Sequence, residues 1–107
     1  MKWPKCNAWW SGTFQEFLDS EAEIVVGALA SRASEKNLPP TSDTMFSWHE
    51  TYRIMFNAIK HVVEEKPESK GLGILLEYEI PRRASRPDVI ILAKETALVI
   101  EFKVGSQ

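Results

Sequence analysis

The spacing of apolar side chains changes once along this chain, and this change constrains the fold more than any other feature. Between Thr13 and Lys66, apolar residues recur every three or four positions, which is the pattern of one helix face. From Leu72 onward they alternate with polar residues or form short continuous runs, as they do in strands. The sequence therefore predicts a helical half followed by a strand half. This is a mixed α/β fold in the broad sense, of the segregated α+β type.

The first predicted helix follows an irregular lead-in of about a dozen residues. Thr13 and Glu16 have the spacing of a capping box, in which each side chain satisfies a backbone N–H of the other, so the helix begins at Thr13. The helix can break or restart at Asp19-Ser20, because both side chains compete for backbone hydrogen bonds. The helical pattern fades by Ser34.

The second predicted helix is longer and carries one apolar stripe. Ser47 and Glu50 repeat the capping-box spacing, so this helix begins at Ser47 or slightly earlier, at Met45. Pro67 stops it near Lys66. The tryptophans of the lead-in and of this helix are expected to be packing anchors, with stacking on nucleic-acid bases as the alternative: Trp3, Trp9, Trp10 and Trp48.

Three strands are predicted in the second half, at residues 72–80, 88–92 and 97–104. In the first strand the two faces would separate Ile74, Leu76, Tyr78 and Ile80 from Leu75, Glu77 and Glu79. The last two strands are joined by a segment short enough for an antiparallel hairpin. We therefore expect two N-terminal helices followed by a three-stranded mixed or antiparallel sheet.

Length and composition limit the class of protein. The 107 residues are enough for one core, so we expect a single domain over residues 1–107. One cysteine excludes an internal disulfide framework and a cysteine-based zinc site, and a formal net charge of −2 argues against a protein coated with positive charge. The apolar runs are far shorter than the roughly 20 residues of a membrane span, and no secretory signal is recognisable. We expect a cytoplasmic protein with no membrane partner.

Charged residues interrupt the strands of the predicted hairpin. Asp88 opens an apolar strand, and Glu101 and Lys103 share a face of the next. A two-residue turn at Lys94-Glu95 would place Asp88 directly opposite Glu101, with their Cβ atoms about 4.5–5.5 Å apart. Two carboxylates that close repel each other unless a cation lies between them, and Mg²⁺ prefers carboxylate oxygens together with water and phosphate. The register therefore indicates a metal site, and the alternative is a surface hairpin with a weak cross-strand ion pair.

The connection between the first two predicted strands is basic. Arg82, Arg83 and Arg86 would contact phosphate, for which the guanidinium group is well suited, and the alternative is a solvated turn. Glu77 and Glu79 are expected to face solvent and to pair with these arginines. Their alternative role is that of additional acids near the metal.

These residues resemble the signature of the PD-(D/E)xK nuclease superfamily. Pro87-Asp88 is followed, after twelve residues, by the acid-any-lysine triplet Glu101-Phe102-Lys103. The segments 77–83, 86–92 and 100–105, together with the helical half, are similar to the nuclease-like module at the N-terminus of Schlafen-type DNA/RNA helicase proteins. The resemblance covers most of the chain and implies a restriction-endonuclease-like core.

The resemblance implies a metal-dependent nuclease domain that hydrolyses phosphodiester bonds of DNA or RNA within a helicase-associated, nucleic-acid-processing protein. Asp88 and Glu101 would hold Mg²⁺ or Mn²⁺, and Lys103 would serve the hydrolytic water. Glu21 would supply a further acid, since it lies on the predicted apolar face of the first helix. The alternative for Glu21 is a first-turn acid that the helix dipole favours.

The chain departs from the family pattern after the third core strand. The family core continues with a helix and a further strand, whereas Gln107 lies four residues beyond Lys103. We therefore expect a truncated module, and its exposed strand would favour a homo-oligomer or a missing C-terminal partner domain. The alternative function is a catalytically inactive fragment that binds nucleic acid, through Arg82, Arg83 and Arg86, or a protein partner.

Overall fold

The computed structural model describes residues 4–80, 83 and 85–102. Within this part of the chain, three helices and a four-stranded antiparallel sheet form an α+β fold. The helices are α1 (Phe14–Asp19), α2 (Ala22–Glu35) and α3 (Ser42–Glu65). The strands are β1 (Ala8–Thr13), β2 (Gly73–Tyr78), β3 (Val89–Ala93) and β4 (Thr96–Ile100), and single 3₁₀ turns lie at Lys5–Asn7 and Pro67–Gly71.

The predicted first helix is two helices. The Thr13 capping box is confirmed: its hydroxyl accepts the Glu16 N–H at 3.0 Å, and the Glu16 carboxylate accepts the Thr13 N–H at 2.7 Å. The chain leaves the helical conformation at Ser20, where φ is −94° and ψ is 142°. The hydroxyl of Tyr52 in α3 donates to the Ser20 carbonyl and stabilises this break. Asp19-Ser20 is therefore a restart point, as the sequence indicates.

Helix α3 begins earlier than predicted. The Thr41 hydroxyl accepts the Thr44 N–H at 3.1 Å, which makes Thr41 the N-cap and Ser42 the first helical residue. The predicted starts at Ser47 and Met45 are wrong, because the apolar stripe begins later than the helix that carries it. The end of the helix near Lys66 is confirmed.

The tryptophan-rich lead-in forms a strand instead of an irregular segment. Strand β1 pairs antiparallel with β2, so the described sheet has four strands in the order β1-β2-β3-β4 instead of the predicted three. Ala8 pairs with Tyr78, and Trp10 pairs with Leu76. The partner of β1 follows all three helices in the chain, and no local pattern reports such a pairing.

The hairpin of β3 and β4 has the predicted register. Ala93 pairs with Thr96 across the Lys94-Glu95 turn, and Val89 pairs with Ile100 at the far end. Lys94 has a φ of 51°, and a positive φ is what tight two-residue hairpin turns need at their first position. β4 ends at Ile100, before the predicted end at residue 104, and residues 103–107 lie outside the described part.

The helices cover one face of the sheet. The main core joins residues of all three helices to one face of the strands, with Phe17, Val25, Ile74 and Val89 fully buried. A smaller cluster of strand residues lies on the opposite face: Ala8, Leu75, Tyr78 and Ile90. No helix in the described residues is both long enough and apolar enough to cross a membrane.

Candidate functional site

The end of β2 turns a carboxylate toward the helices. Glu77 has a φ of 51°, in the left-handed region that residues other than glycine rarely adopt. The normal alternation of the strand is therefore interrupted after Leu76, because Glu77 also lies on the helix-facing side and Tyr78 packs with Leu75 on the opposite face. The predicted faces are wrong at Glu77 and Tyr78, and also at Ile80, which packs with Leu75 and Tyr78 instead of with Ile74 and Leu76. Glu77 is not solvent-facing but only 7% exposed.

Asp88 lies beside Glu77, directly before the first residue of β3. The Glu77 N–H donates to the Asp88 carbonyl at 3.0 Å, which joins the two backbones beyond the regular β2–β3 pairs. The Asp88 side chain accepts the Phe102 N–H at 2.8 Å through Oδ2. Its second oxygen, Oδ1, has no protein partner in the described residues. One carboxylate oxygen is thus used to orient the side chain and the other is available for a ligand.

Both carboxylates line a cavity of about 180 Å³, which we call the acidic cavity. Its other walls come from the N-terminal part of α3 and from the residue after Glu101: Ser47, Trp48, Thr51 and Phe102. The hydroxyl groups of Ser47 and Thr51 add further oxygen ligands. Among the described residues, the side chains that line the acidic cavity offer carboxylate and hydroxyl oxygens together with aromatic surface, and oxygen ligands suit a hard cation such as Mg²⁺.

Burial raises the pKa of the Glu77 carboxyl. The charged form is disfavoured in the low-dielectric interior, and the nearby negative charge of Asp88 acts in the same direction. Arg86 and the indole of Trp48 lower the pKa, but less than burial raises it. A carboxylate that is difficult to ionise beside a second carboxylate is typical of sites where a cation or a proton is held.

Arg86 is held by two contacts beside the acidic cavity, one of them with the Glu77 carboxylate that lines it. Its Nε donates to Oε1 of Glu77 at 2.7 Å, and its guanidinium carbon lies 4.3 Å from the ring centroid of Trp9. Its terminal nitrogens have no acceptor in the described residues. Trp9 is itself held by Glu79, which accepts the indole N–H at 2.8 Å and pairs with Lys36. The arginine thus presents a preorganised pair of donors.

A second cavity, of about 260 Å³, lies on the other side of Trp48. We call it the arginine cavity, and its walls are Trp9, Ala33, Leu38, Pro39, Pro40, Thr44, Trp48 and Arg86. Trp48 lines both cavities, and the Glu77–Arg86 ion pair connects them. The two cavities are therefore adjacent parts of one surface, the first acidic and the second apolar with a cationic edge.

The structure brings only part of the predicted metal site together. The regular pairing of the hairpin ends at Val89 and Ile100, one residue before the predicted Asp88–Glu101 pair, and Glu101 is exposed and does not line the acidic cavity. Lys103 lies outside the described residues. Glu21 is not on an apolar helix face, because α2 begins after it and Glu21 is the exposed N-cap residue. No three His, Cys, Asp or Glu side chains converge within residues 4–80, 83 and 85–102.

Of the three arginines predicted to contact phosphate, Arg86 is the one that the described part of the structure places at a cavity. Arg86 lines the arginine cavity, whereas Arg83 is exposed and donates its backbone N–H to the Ile80 carbonyl. Arg82 lies outside the described residues. The sequence predicts a solvent-facing Glu77, because Glu77 alternates with apolar neighbours, whereas the structure buries it. The sequence feature that could have identified Glu77 as a site residue is its charge within an otherwise apolar strand.

The chain was compared with models of known protein families, with curated proteins and with solved structures, and none of the three comparisons gives a match.

Proposed function

We propose that this chain is a metal-dependent nuclease domain that hydrolyses phosphodiester bonds of DNA or RNA and belongs to a larger nucleic-acid-processing protein. The observation that carries the proposal is that Asp88 and Glu77 line one cavity, while Arg86 pairs with Glu77 and lines the adjacent cavity. Two carboxylates provide the charge that holds a divalent cation, and a guanidinium group is suited to the phosphate that the cation would also contact. The resemblance to PD-(D/E)xK nucleases agrees with this chemistry.

The donor set fits Mg²⁺ or Mn²⁺. Asp88 would hold the cation through Oδ1, and Glu77 at the end of β2 would supply a second carboxylate while Arg86 stays paired with its Oε1. Glu101 remains a predicted ligand. A bound divalent cation would lower the pKa of a water molecule and would stabilise negative charge on the phosphate. Ser47 and Thr51 would add hard hydroxyl oxygens, and the described residues that line this cavity include no histidine or cysteine.

The residues of the chain supply orientation and charge. The Phe102 N–H holds the Asp88 carboxylate in one direction, so that its second oxygen points to a defined place. Arg86 would bind a nonbridging phosphate oxygen through its terminal nitrogens while Glu77 and Trp9 keep it in position. Lys103 remains the predicted group that orients or deprotonates the attacking water.

Cleavage assays with paired variants test the proposal. Labelled DNA and RNA are incubated with Mg²⁺ or Mn²⁺ and with wild-type protein, with Asp88→Asn, or with Asp19→Asn as a control. Asp19 is an exposed aspartate that accepts a hydrogen bond from Gln15 and does not line either cavity. We expect metal-dependent cleavage by the wild type and by Asp19→Asn, and none by Asp88→Asn. Equal cleavage by all three proteins would refute the assignment of Asp88.

The second candidate is a module that binds nucleic acid without cleaving it. The observation that favours it is Arg86, which stacks on Trp9, pairs with Glu77 and lines the arginine cavity without any need for a metal. This candidate predicts binding in the presence of a chelator that weakens as salt increases. Binding of this kind, with no cleavage of any substrate at any metal concentration, would replace the nuclease assignment.

A further inference from the structure

The arginine cavity has features that the hydrolytic chemistry of the acidic cavity does not require. A cavity of about 10–15 Å³ already holds a water molecule, and the arginine cavity measures about 260 Å³. Its walls are mostly apolar, and its charged group, Arg86, lies at the side nearest the acidic cavity. The space is large enough for an organic group whose apolar part contacts the apolar walls and whose anionic part contacts Arg86.

The connection between α2 and α3 forms part of the wall of the arginine cavity, and its backbone is restricted. Asn37 ends α2 with a φ of 60°, and the Leu38 N–H donates to the Ala33 carbonyl at 2.9 Å. This is the arrangement of a Schellman motif, which determines the direction in which the chain leaves a helix. Pro39 and Pro40 then restrict the backbone before α3 begins. A wall with little conformational freedom loses little entropy when a ligand binds.

We propose that the arginine cavity binds one unpaired nucleotide of a single-stranded nucleic acid. The base would lie between the prolines and Trp48, and the phosphate of the same nucleotide would bind the terminal nitrogens of Arg86. The adjacent phosphate would then lie toward Asp88. This proposal names the substrate class of the proposed function and rests on its nucleic-acid-binding part.

The preference for a single strand follows from the shape of the cavity. A base in a duplex is stacked and paired, and it must leave both contacts before it enters a walled cavity. An unpaired base has a free face that can stack on an apolar or aromatic surface. All four bases can make this contact, so it does not select one sequence. Leu38 lines the cavity and is 56% exposed, so a base bound there would bury apolar surface that is now exposed.

Fluorescence anisotropy in the presence of a chelator tests the proposal without depending on cleavage. The probe is a labelled oligothymidylate, alone or annealed to its oligoadenylate complement. The variants are Arg86→Gln, Leu38→Glu and the control Arg53→Gln. Arg53 is also paired with a glutamate, Glu50, at 2.7 Å, but it lies on the exposed surface of α3 away from both cavities. Arg86→Gln removes the ion pair with the buried Glu77 and can unfold the protein for that reason alone. Leu38 is exposed, so Leu38→Glu tests the cavity without disturbing the core.

We expect the single strand to bind at least tenfold more tightly than the duplex, and Arg86→Gln and Leu38→Glu each to weaken single-strand binding at least tenfold. Arg53→Gln should bind as the wild type does, and thymidine monophosphate should displace the probe at concentrations where inorganic phosphate does not. Equal affinity for single strand and duplex, unchanged binding by Leu38→Glu, or equal displacement by inorganic phosphate would overturn the proposal.

Binding as expected without metal-dependent cleavage would overturn only the nuclease assignment, whereas cleavage with equal affinity for both probes would overturn only the single-strand assignment.

Discussion

Replacing Asp88 by alanine and by asparagine separates its structural contribution from its chemical one. Both variants remove the negative charge that would hold a cation. Only alanine removes the acceptor of the Phe102 N–H, which is bonded to Oδ2 at 2.8 Å in a partly buried position. The asparagine side chain retains a carbonyl oxygen that can accept the same hydrogen bond. The two variants should therefore differ in stability and agree in the loss of metal binding.

The expected stability changes follow from this hydrogen bond. A buried donor left without an acceptor lowers the free energy of unfolding by about 1–3 kcal/mol. Asparagine should lower it by about 1 kcal/mol or less, since a neutral acceptor is weaker than a charged one. Both variants also relieve the repulsion that raises the pKa of Glu77, but this gain is small because burial is the larger cause. In a domain of this size, 1 kcal/mol corresponds to roughly 4 °C in Tm.

Thermal denaturation and calorimetric titration with Mn²⁺ measure the two contributions separately. Asp88→Ala should have the lowest Tm, and Asp88→Asn should lie between it and the wild type. Metal affinity should fall by more than tenfold in both, because loss of a group that only positions a ligand already lowers metal affinity by about 10–100-fold. An unchanged Tm for Asp88→Ala would refute the structural reasoning, and wild-type metal affinity in Asp88→Asn would refute the site.

Three further predictions concern other parts of the fold. Because burial raises the pKa of Glu77 above its ordinary value of 4.5, the wild type loses stability as the pH rises through the folded pKa. Glu77→Gln has no carboxyl group and does not lose stability in this way. In denaturant unfolding at acidic and at neutral pH, the free energy of unfolding of the variant should therefore rise relative to that of the wild type as the pH increases. A difference between the two proteins that does not change with pH would contradict this prediction. Gly12→Ala should lower the free energy of unfolding by about 1–3 kcal/mol in the same assay, since its Cβ would lie 2.9 Å from the Trp10 ring and 3.0 Å from the Glu16 carboxylate; unchanged stability would show that both side chains move freely. Leu98 is 56% exposed on the edge strand β4, so Leu98→Lys should abolish any self-association seen by analytical ultracentrifugation; association that persists in the variant would place the contact elsewhere.

Local patterns predicted the elements whose causes are local. The Thr13 capping box and the break at Asp19-Ser20 depend on side chains within a few residues of the affected backbone. The β3–β4 register depends on a two-residue turn, and the pairing of Val89 with Ile100 agrees with the predicted alignment. Strand β1 was missed because what makes it a strand is its pairing with β2, on the far side of three helices.

The sequence by itself determined the α+β class, the hairpin register and the position of Asp88 at the start of a buried strand, because periodicity and turn length act over a few residues. Only the tertiary structure decided that Glu77 faces the helices and that Arg86 stacks on Trp9. The positive φ of Glu77 is unfavourable for an isolated strand. It occurs where Arg86 pairs with the buried carboxylate and where Tyr78 packs on the opposite face of the sheet. Such contacts join residues that are distant in the chain, and no pattern along the sequence reports them.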